Sequence, residues 1–530
     1  MSKIMQIFFL DKVAMGFIAV LVAASLVSGF LIIEANRLLA SLFNEHVVAN
    51  DPIGMFLSAS TVAGLFILIF LIRLGCAYMQ QKVQWEGVER FKKYFINKVL
   101  RAEAKFFYDK QAPDIWTSIN LPSQNVAFFF VNIVSTITSI ILLFFYAFII
   151  FNIDVYAGII SFLAIPIYLL VVRTTGNKIS KLQDKMMNLH RNLAVVSNEA
   201  IAGAANIKTK GAYDFFIQRM IKVVKELTIT MQKVNVLMQY KSQVSGLISI
   251  IAPIFILFGA MQLSENINLN AGTAILLYIN IPLLLSSFGG IFSGIISYKS
   301  SLPHFNKLKE LQNIPLEHNG NVVIKHFDSL VTKGVMINYG DQKIVKVPDI
   351  EIKKGEKIIF AGESGVGKSS LFNVIIGFIQ DYDGVVLVNG IDLRSIERES
   401  LRKVFGIVFQ HTTVPTITLS ENILLGAKKT KNEFMQILDE VSLLPLLEDK
   451  GDEVLRDQTI SGGERARIGL AQSLALNPEV LLMDETFSNV DEDMETEIIK
   501  QLLKSQKNKT FICISHRMVN AGYFDRIVQF

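Results

Sequence analysis

Two cysteines in 530 residues, Cys76 and Cys513, are too few for a disulfide framework or a four-cysteine metal site. Charge is scarce as well. Asp, Glu, Lys and Arg make up 19% of the chain, against about 25% in an ordinary soluble domain, and this composition excludes the disordered and coiled-coil classes. Glycine, at 33 residues with no fixed period, excludes a collagen-like chain. Basic residues outnumber acidic ones by only five and never gather into one block, so a nucleic-acid partner does not explain the sign. What is abundant is apolar: 51% of residues are hydrophobic, and mean hydropathy is +0.41. Lipid is then the solvent for part of the chain. At roughly 100–200 residues per domain, the length allows two to four domains.

The apolar residues are concentrated. Val13 to Ile33 holds 21 residues with no charge or histidine, and Ile53 to Ile72 another 20. About 20 apolar residues of helix cross a hydrocarbon core of about 30 Å. Ile115 to Ile153 carries no charge for 39 residues, with Leu121-Pro122 setting the start of the span near Val126. Asp154 separates it from a run ending at Val172, which makes a hairpin of the third and fourth spans. Ser242 to Ser264 and Asn266 to Tyr298, divided by Glu265, complete a set of six. The first run is not a signal peptide, whose apolar stretch is about 7–15 residues.

The loops orient the spans. Arg73 to Asn125 holds nine Lys or Arg against five acids, and Arg173 to Lys241 holds twelve against four, whereas the other connections are nearly bare. Short basic loops stay in the cytoplasm, so both termini are expected there. Both basic connections read as helix, over Val83 to Ala104 and Phe215 to Tyr240, so spans two to five are expected to continue beyond the membrane. Within the spans, Asn132 and Asn280 read as interhelical hydrogen-bonding groups. Arg73 is expected to snorkel to the interface. Interiors without charge offer no ion relay and favour an apolar or zwitterionic cargo.

From about Asn319 the pattern changes to short Val/Ile-rich strands with helical stretches between them, the mark of an α/β domain with a largely parallel sheet. The expected division is 1–305 for a six-helix membrane domain, 306–318 for a linker and 319–530 for the α/β domain. Gly362, Glu363, Ser364, Gly365, Val366, Gly367, Lys368 and Ser369 fit the loop G-x-x-x-x-G-K-[ST], between a strand ending at Phe360-Ala361 and a helix beginning near Ser369-Ser370. Glycines let backbone N–H groups curl around phosphate oxygens, and the helix N-terminus adds its dipole. Lys368 is expected to neutralise the β/γ-phosphates and Ser369 to hold Mg²⁺. Val480 to Asp484-Glu485 reads as a buried strand ending in two carboxylates, Asp484 for Mg²⁺ and Glu485 as general base. Alone, that pair would equally serve as a helix cap. The phosphate loop about 120 residues earlier decides for chemistry.

Ile460-Ser461-Gly462-Gly463-Glu464, just ahead of that strand, resembles the signature motif of ATP-binding cassette (ABC) proteins. The order of the other parts is similar to the family throughout. Tyr339 resembles the aromatic residue that stacks on adenine, Gln410 the glutamine that senses Mg²⁺, Ser488 to Asp491 the D-loop, and His516 the switch histidine beside the γ-phosphate. Six spans with long intracellular extensions ahead of a P-loop NTPase cassette resemble the exporter-type half-transporter. Its coupling helices would fall near Pro113 to Trp116 and Ala212 to Gln218.

The resemblance implies ATP and Mg²⁺ as ligands and a partner, either a second copy or a similar half, whose Ser461, Gly462, Gly463 and Glu464 close over the other's Lys368 loop. It implies ATP-driven export of a peptide, lipid or drug-like solute by alternating access. It also implies a multi-pass protein of the bacterial inner membrane, with both termini and the cassette in the cytoplasm. Two alternatives share the scaffold: import, and a membrane-anchored ATPase that regulates a channel or partner without pumping. Four departures stand out. Ile460 and Glu464 replace the usual Leu and Gln, Asn489-Val490 the usual Ala-Leu, and Gln472 an Arg. The chain also ends at Phe530, earlier than such cassettes do, so shortened terminal strands are expected. No peptidase domain is read ahead of the first span, so coupled leader-peptide cleavage is not expected.

Overall fold

The computed structural model describes the whole chain except residues 1, 9–11, 48, 109, 111, 164, 264–270, 339–343, 457–458, 489, 516 and 518. The chain divides into two compact units, Met1–Ala102 with Asp109–Ile314, and Glu103–Tyr108 with Pro315–Phe530.

The first unit is helical. Its elements are α1 (Ser2–Phe8), α2 (Lys12–Ser41), α3 (Pro52–Leu100), α4 (Lys105–Tyr108, which groups with the second unit), α5 (Ala112–Ile153), α6 (Val155–Leu163), α7 (Ile165–Ala202), α8 (Ala204–Thr209), α9 (Tyr213–Leu263) and α10 (Ala271–Gln312). α3 has 49 residues and α9 has 51. At 1.5 Å per residue both exceed 70 Å, roughly twice what a bilayer core takes up, so the basic connections are continuations of the spans.

Among the described residues five helices are long and apolar enough to cross a membrane, beginning at Gly16, Pro52, Ala112, Tyr213 and Gly272. The fourth expected span falls on α6 and the start of α7, with Ala164 between them outside the described residues. α10 continues to Gln312 through most of the expected linker.

The core of this unit gathers Ile32, Ile69, Tyr146, Ile150, Ile281 and Leu284 from α2, α3, α5 and α10. Asn36 and Asn280, both buried, exchange reciprocal amide hydrogen bonds of 3.1 and 3.3 Å, and Asn132 Nδ2 donates to Ser297 Oγ at 3.0 Å. The asparagines bridge helices, as their types suggested. The short α1 has no counterpart in the sequence reading. Its Phe8 lies against Gly87 of α3, where a Cβ would come within 2.2 Å of the ring, so only glycine admits the contact.

The second unit contains β1 (Ser329–Asn338), β2 (Ile344–Lys346), β3 (Ile350–Lys353), β4 (Lys357–Ala361), α11 (Lys368–Ile375), β5 (Tyr382–Val388), β6 (Ile391–Asp392), α12 (Arg398–Val404), β7 (Phe405–Val408), α13 (Leu419–Leu424), α14 (Lys431–Glu440), α15 (Leu444–Lys450), α16 (Gly462–Ala475), β8 (Val480–Asp484), α17 (Glu492–Ser505), β9 (Thr510–Ile514) and β10 (Arg526–Gln529).

Among the described residues these strands form two sheets. One is parallel, in the order β10-β4-β9-β8-β7. Its strands β4, β7, β8 and β9 are buried on both faces, as the unbroken apolar runs Val480–Met483 and Phe511–Ile514 require, whereas the edge strand β10 is exposed. The other is antiparallel, β2-β1-β5-β6 with β3 on β1. The expectation of a largely parallel sheet is therefore half of the picture. Val385 to Val388 reads as a strand correctly but pairs antiparallel with β1. The last residues complete the parallel sheet: β10 pairs with β4, and Phe530 packs its ring 4.9 Å from Phe360.

Candidate functional site

Four adjacent strands of the parallel sheet, β4, β9, β8 and β7, end on the same edge, and β4, β8 and β7 deliver predicted residues there. Crevices at the carboxyl ends of parallel strands are where such folds bind ligands.

After β4 the loop turns through Gly362, Gly365 and Gly367 with φ of +148°, +84° and +113°. Gly367 is the N-cap of α11, and a Cβ there would meet Val345 at 2.1 Å. Both its conformation and its neighbour therefore exclude a side chain. Lys368 is 5% exposed, and its Nζ donates to the carbonyls of Gly362 and Glu363, both at 2.8 Å. Ser369 Oγ donates to Asp484 Oδ1 at 2.9 Å, which joins the first turn of α11 to the end of β8. Burial pushes the Asp484 carboxyl above its usual range and the neighbouring Glu485 adds to this, while the Ser369 hydrogen bond and the Lys368 charge oppose it.

Glu485 follows in a left-handed conformation, φ +45°, which costs a non-glycine residue of order 1 kcal/mol. Its N–H donates to Ile514 O at 3.0 Å across to β9. Gln410, two residues past β7, donates from Nε2 to Glu485 Oε2 at 2.7 Å. Strain at this position, held by two hydrogen bonds, fixes where the carboxylate stands.

Ser364, Val366 and Ser370 belong to the same loop and first turn. Tyr339 and His516 lie outside the described residues.

Ser461 caps α16 in a reciprocal box. The Glu464 N–H donates to Ser461 Oγ at 3.2 Å, while Glu464 Oε2 accepts from the Ser461 N–H at 2.7 Å and hydroxyl at 2.8 Å. Burial pushes the Glu464 carboxyl up, but the hydrogen bonds from Ser461 outweigh it and hold the carboxyl below its usual range. Gly462 and Gly463 open the helix. Asp491 is the N-cap of α17 through its backbone, with Asp491 O accepting from the Glu495 N–H at 2.8 Å.

Sequence reasoning missed the group behind that loop. Arg517 donates from Nη1 to Val490 O at 2.9 Å and Glu495 Oε2 at 3.3 Å, and from Nη2 to Ser488 O at 3.5 Å. Asn520 Nδ2 donates to the other Glu495 oxygen at 3.2 Å. Burial raises the Glu495 carboxyl, with the Asn520 bond and the Arg517 charge opposing. The signal was available: Glu495 sits on the buried stripe of α17 with Ile498, Ile499 and Leu502, a place where an acid needs a partner.

The fold and this edge define a phosphate-loop nucleotide-binding cassette joined in one chain to a helical membrane unit. Residues 17–288 match the family model of the ABC transporter transmembrane region, and residues 345–488 match that of the ABC transporter. The chain belongs to the ABC transporters and is a multi-pass membrane protein.

It is 29% identical to the lactococcin-A transport/processing ATP-binding protein LcnC of Lactococcus lactis subsp. lactis, over 69% of this chain and 52% of that one. The chain thus spans about half the length of that relative. It is 24% identical to the transport/processing ATP-binding protein ComA of Streptococcus pneumoniae, over 97% and 73% of the two chains. It is 27% identical to an ATP-dependent lipid A-core flippase of Desulfotalea psychrophila, over 70% and 67%. A solved structure of a bacterial Atm1-family ABC exporter with ATP bound superposes with a TM-score of 0.83 at 17% identity, covering 98% of this chain and 94% of that one. That likeness is one of fold.

Proposed function

We propose that the chain is an exporter half that binds and hydrolyses ATP between its cassette and that of a partner, a second copy or a similar half. The division at 1–305, 306–318 and 319–530 belongs to this reading. So do the fourth of six spans, over residues 155–172, cytoplasmic termini and the bacterial inner membrane.

The observation that carries it is the meeting of Lys368, Ser369, Asp484, Glu485 and Gln410 at one edge of the parallel sheet, joined by the Ser369–Asp484 and Gln410–Glu485 hydrogen bonds. Lys368, mounted on two loop carbonyls, offers its charge to the β- and γ-phosphate oxygens. The loop's backbone N–H groups and the start of α11 add theirs. Glu485 takes the proton of the attacking water as its oxygen bonds to the γ-phosphorus and the bond to the β–γ bridging oxygen breaks. Tyr339 stacks on adenine, and His516 holds the γ-phosphate. The partner's Ser461, Gly462 and Gly463 close the site.

A magnesium ion suits the donor set. The Ser369 hydroxyl, the Asp484 carboxylate and the Gln410 amide supply the hard oxygen ligands it takes, with few carboxylates. Bound there it would neutralise phosphate charge. Closure of two cassettes draws on ATP binding only as far as ATP prefers the closed state.

The test is purified protein in lipid, with Glu485→Gln as the variant. Loss of a general base is expected to lower turnover by about 10²–10⁴-fold while nucleotide still binds. Hydrolysis at the wild-type rate would defeat the assignment. ATP-dependent solute flux out of inverted vesicles, into them, or in neither direction separates import, export and regulation without pumping.

A further inference from the structure

Inside the membrane unit α2, α3, α5 and α10 enclose a cavity of about 310 Å³. Its wall is unusual for a membrane interior. Ser25, Ser28, Thr138, Ser139, Ser286 and Ser287 line it, together with Gln80, Tyr146 and Arg73.

Arg73 is the only charged residue between Asp51 and Lys82. It precedes Lys82 by nine positions on α3, about 13 Å along the helix axis. Lys82 itself stands 5.7 Å from the ring of Phe17, near the Lys12 end of α2. Arg73 lines the cavity together with Leu21, Ala24 and Ser25 of α2 and faces the Tyr146 hydroxyl.

The hydroxyls have a definite polarity. Ser25 donates to Leu21 O at 2.7 Å, Ser28 to Ser25 O at 2.8 Å and Thr138 to Val134 O at 3.1 Å. Ser139 donates to Ser135 O at 2.9 Å, and Ser286 and Ser287 donate to Leu283 O at 2.8 and 2.9 Å. Ser25 Oγ and Thr138 Oγ1 also lie 3.0 Å apart, and one donates to the other. Each hydroxyl has one proton, and for Ser28, Ser139, Ser286 and Ser287 it is committed to the helix. What each presents to the cavity is oxygen lone pairs. Among the described residues of this chain neither Asp nor Glu lines the cavity beside the Arg73 guanidinium.

We propose that this cavity binds an anionic amphiphile, with a carboxylate or phosphate on Arg73 and N–H or O–H donors on the hydroxyl oxygens. This deepens the export reading and rests on it, by naming the chemical class of the cargo. A guanidinium holds either anion through two parallel hydrogen bonds, and Leu21, Leu142 and Leu283 of the same wall receive the apolar part.

The chain carries its own reporter. Cys76, three residues from Arg73 on α3, lines the cavity, whereas Cys513 is buried with its thiol pushed up to about 12. A maleimide at neutral pH therefore labels Cys76 in the folded chain. The assay uses full-length protein in phosphatidylcholine nanodiscs without nucleotide, with N-dodecanoylglycine, its uncharged amide and dodecyl phosphate as probes.

The acid and the phosphate are expected to slow labelling at concentrations about tenfold below the amide, the equivalent of one charge-assisted bond. Arg73→Gln is expected to erase that preference and Arg73→Lys to keep part of it. Slower labelling in phosphatidylglycerol nanodiscs with no probe added identifies a bilayer lipid as the anion's source, and unchanged labelling there identifies a dispersed solute. Equal protection by acid and amide in the wild type, or a preference that survives Arg73→Gln, overturns the proposal. The wild-type comparison decides even if the variants do not fold. Because no ATP is used, failure here is separate from failure of the Glu485→Gln test.

Discussion

Removing Arg517 probes how the loop before α17 is held. Glu495 is 4% exposed at its side chain and Arg517 is 36% exposed. Removing one partner of a fully buried pair costs about 3–5 kcal/mol. Arg517→Met leaves Asn520 still donating to Glu495, and the arginine is partly screened by solvent, so about 2 kcal/mol is the better figure. Glu495→Gln keeps an acceptor for Asn520 and leaves Arg517 on Val490 O, so about 1 kcal/mol is expected. In the double variant no buried charge is left alone, and the total should stay near 2 kcal/mol rather than reach the sum of about 3.

For a unit of this size about 1 kcal/mol moves Tm by roughly 2–4 °C. Arg517→Met should therefore lower it by about 4–8 °C, Glu495→Gln by about half as much, and the pair together no more than Arg517→Met alone. Once Cys76 has been blocked with a maleimide, the buried Cys513 thiol on β9 makes a thiol-reactive dye a reporter of cassette unfolding. ATPase activity should fall in step, because Ser488 and Val490 lose the guanidinium that fixes their carbonyls. Additive losses, or Glu495→Gln as damaging as Arg517→Met, would refute the pairing.

Asp484→Asn tests the cost of the active-site charge. The Asp484 carboxyl is raised in the folded chain, so its contribution to stability is full below its ordinary value of 3.8 and is lost as pH rises through the raised value. The variant should be more stable than wild type at pH 8, with the gap closing toward pH 4, as thermal unfolding across that range would reveal. A gap that widens on acidification contradicts the burial argument. At the signature, Glu464→Ala removes the carboxylate that accepts from the Ser461 N–H and hydroxyl while keeping the backbone N–H bond to Ser461 Oγ, and should cost about 1 kcal/mol, while Glu464→Gln can keep the whole box and should cost less. Denaturation midpoints of the two variants in the same order of size as wild type, with no difference between them, would remove the cap from the account.

Much of this was legible in the residues. The charge-free runs mark helices because a spanning backbone must satisfy its own hydrogen bonds, and the phosphate loop is recognisable since its glycines stand where positive φ is required. β4, β7, β8 and β9 are visible as short apolar runs. Pairing was not: β5 carries the same Val-rich composition and joins the antiparallel sheet, because composition records burial and leaves the partner strand open. α1 escaped notice for a similar reason, since its packing depends on the absence of a side chain at Gly87, about 80 positions away.

The sequence by itself determined that part of the chain dissolves in lipid, that a phosphate-binding loop follows a buried strand, and that two acids close a later strand. These follow from local rules of periodicity, backbone freedom and composition. Only the tertiary structure decided that the ends of β4, β7 and β8 meet so that Ser369 reaches Asp484 and Gln410 reaches Glu485, that Arg517 serves a loop rather than solvent, and that Arg73 shares a cavity with hydroxyls of α2, α5 and α10. Each depends on contacts between residues far apart in the chain, and those distances are set by packing rather than by any local pattern.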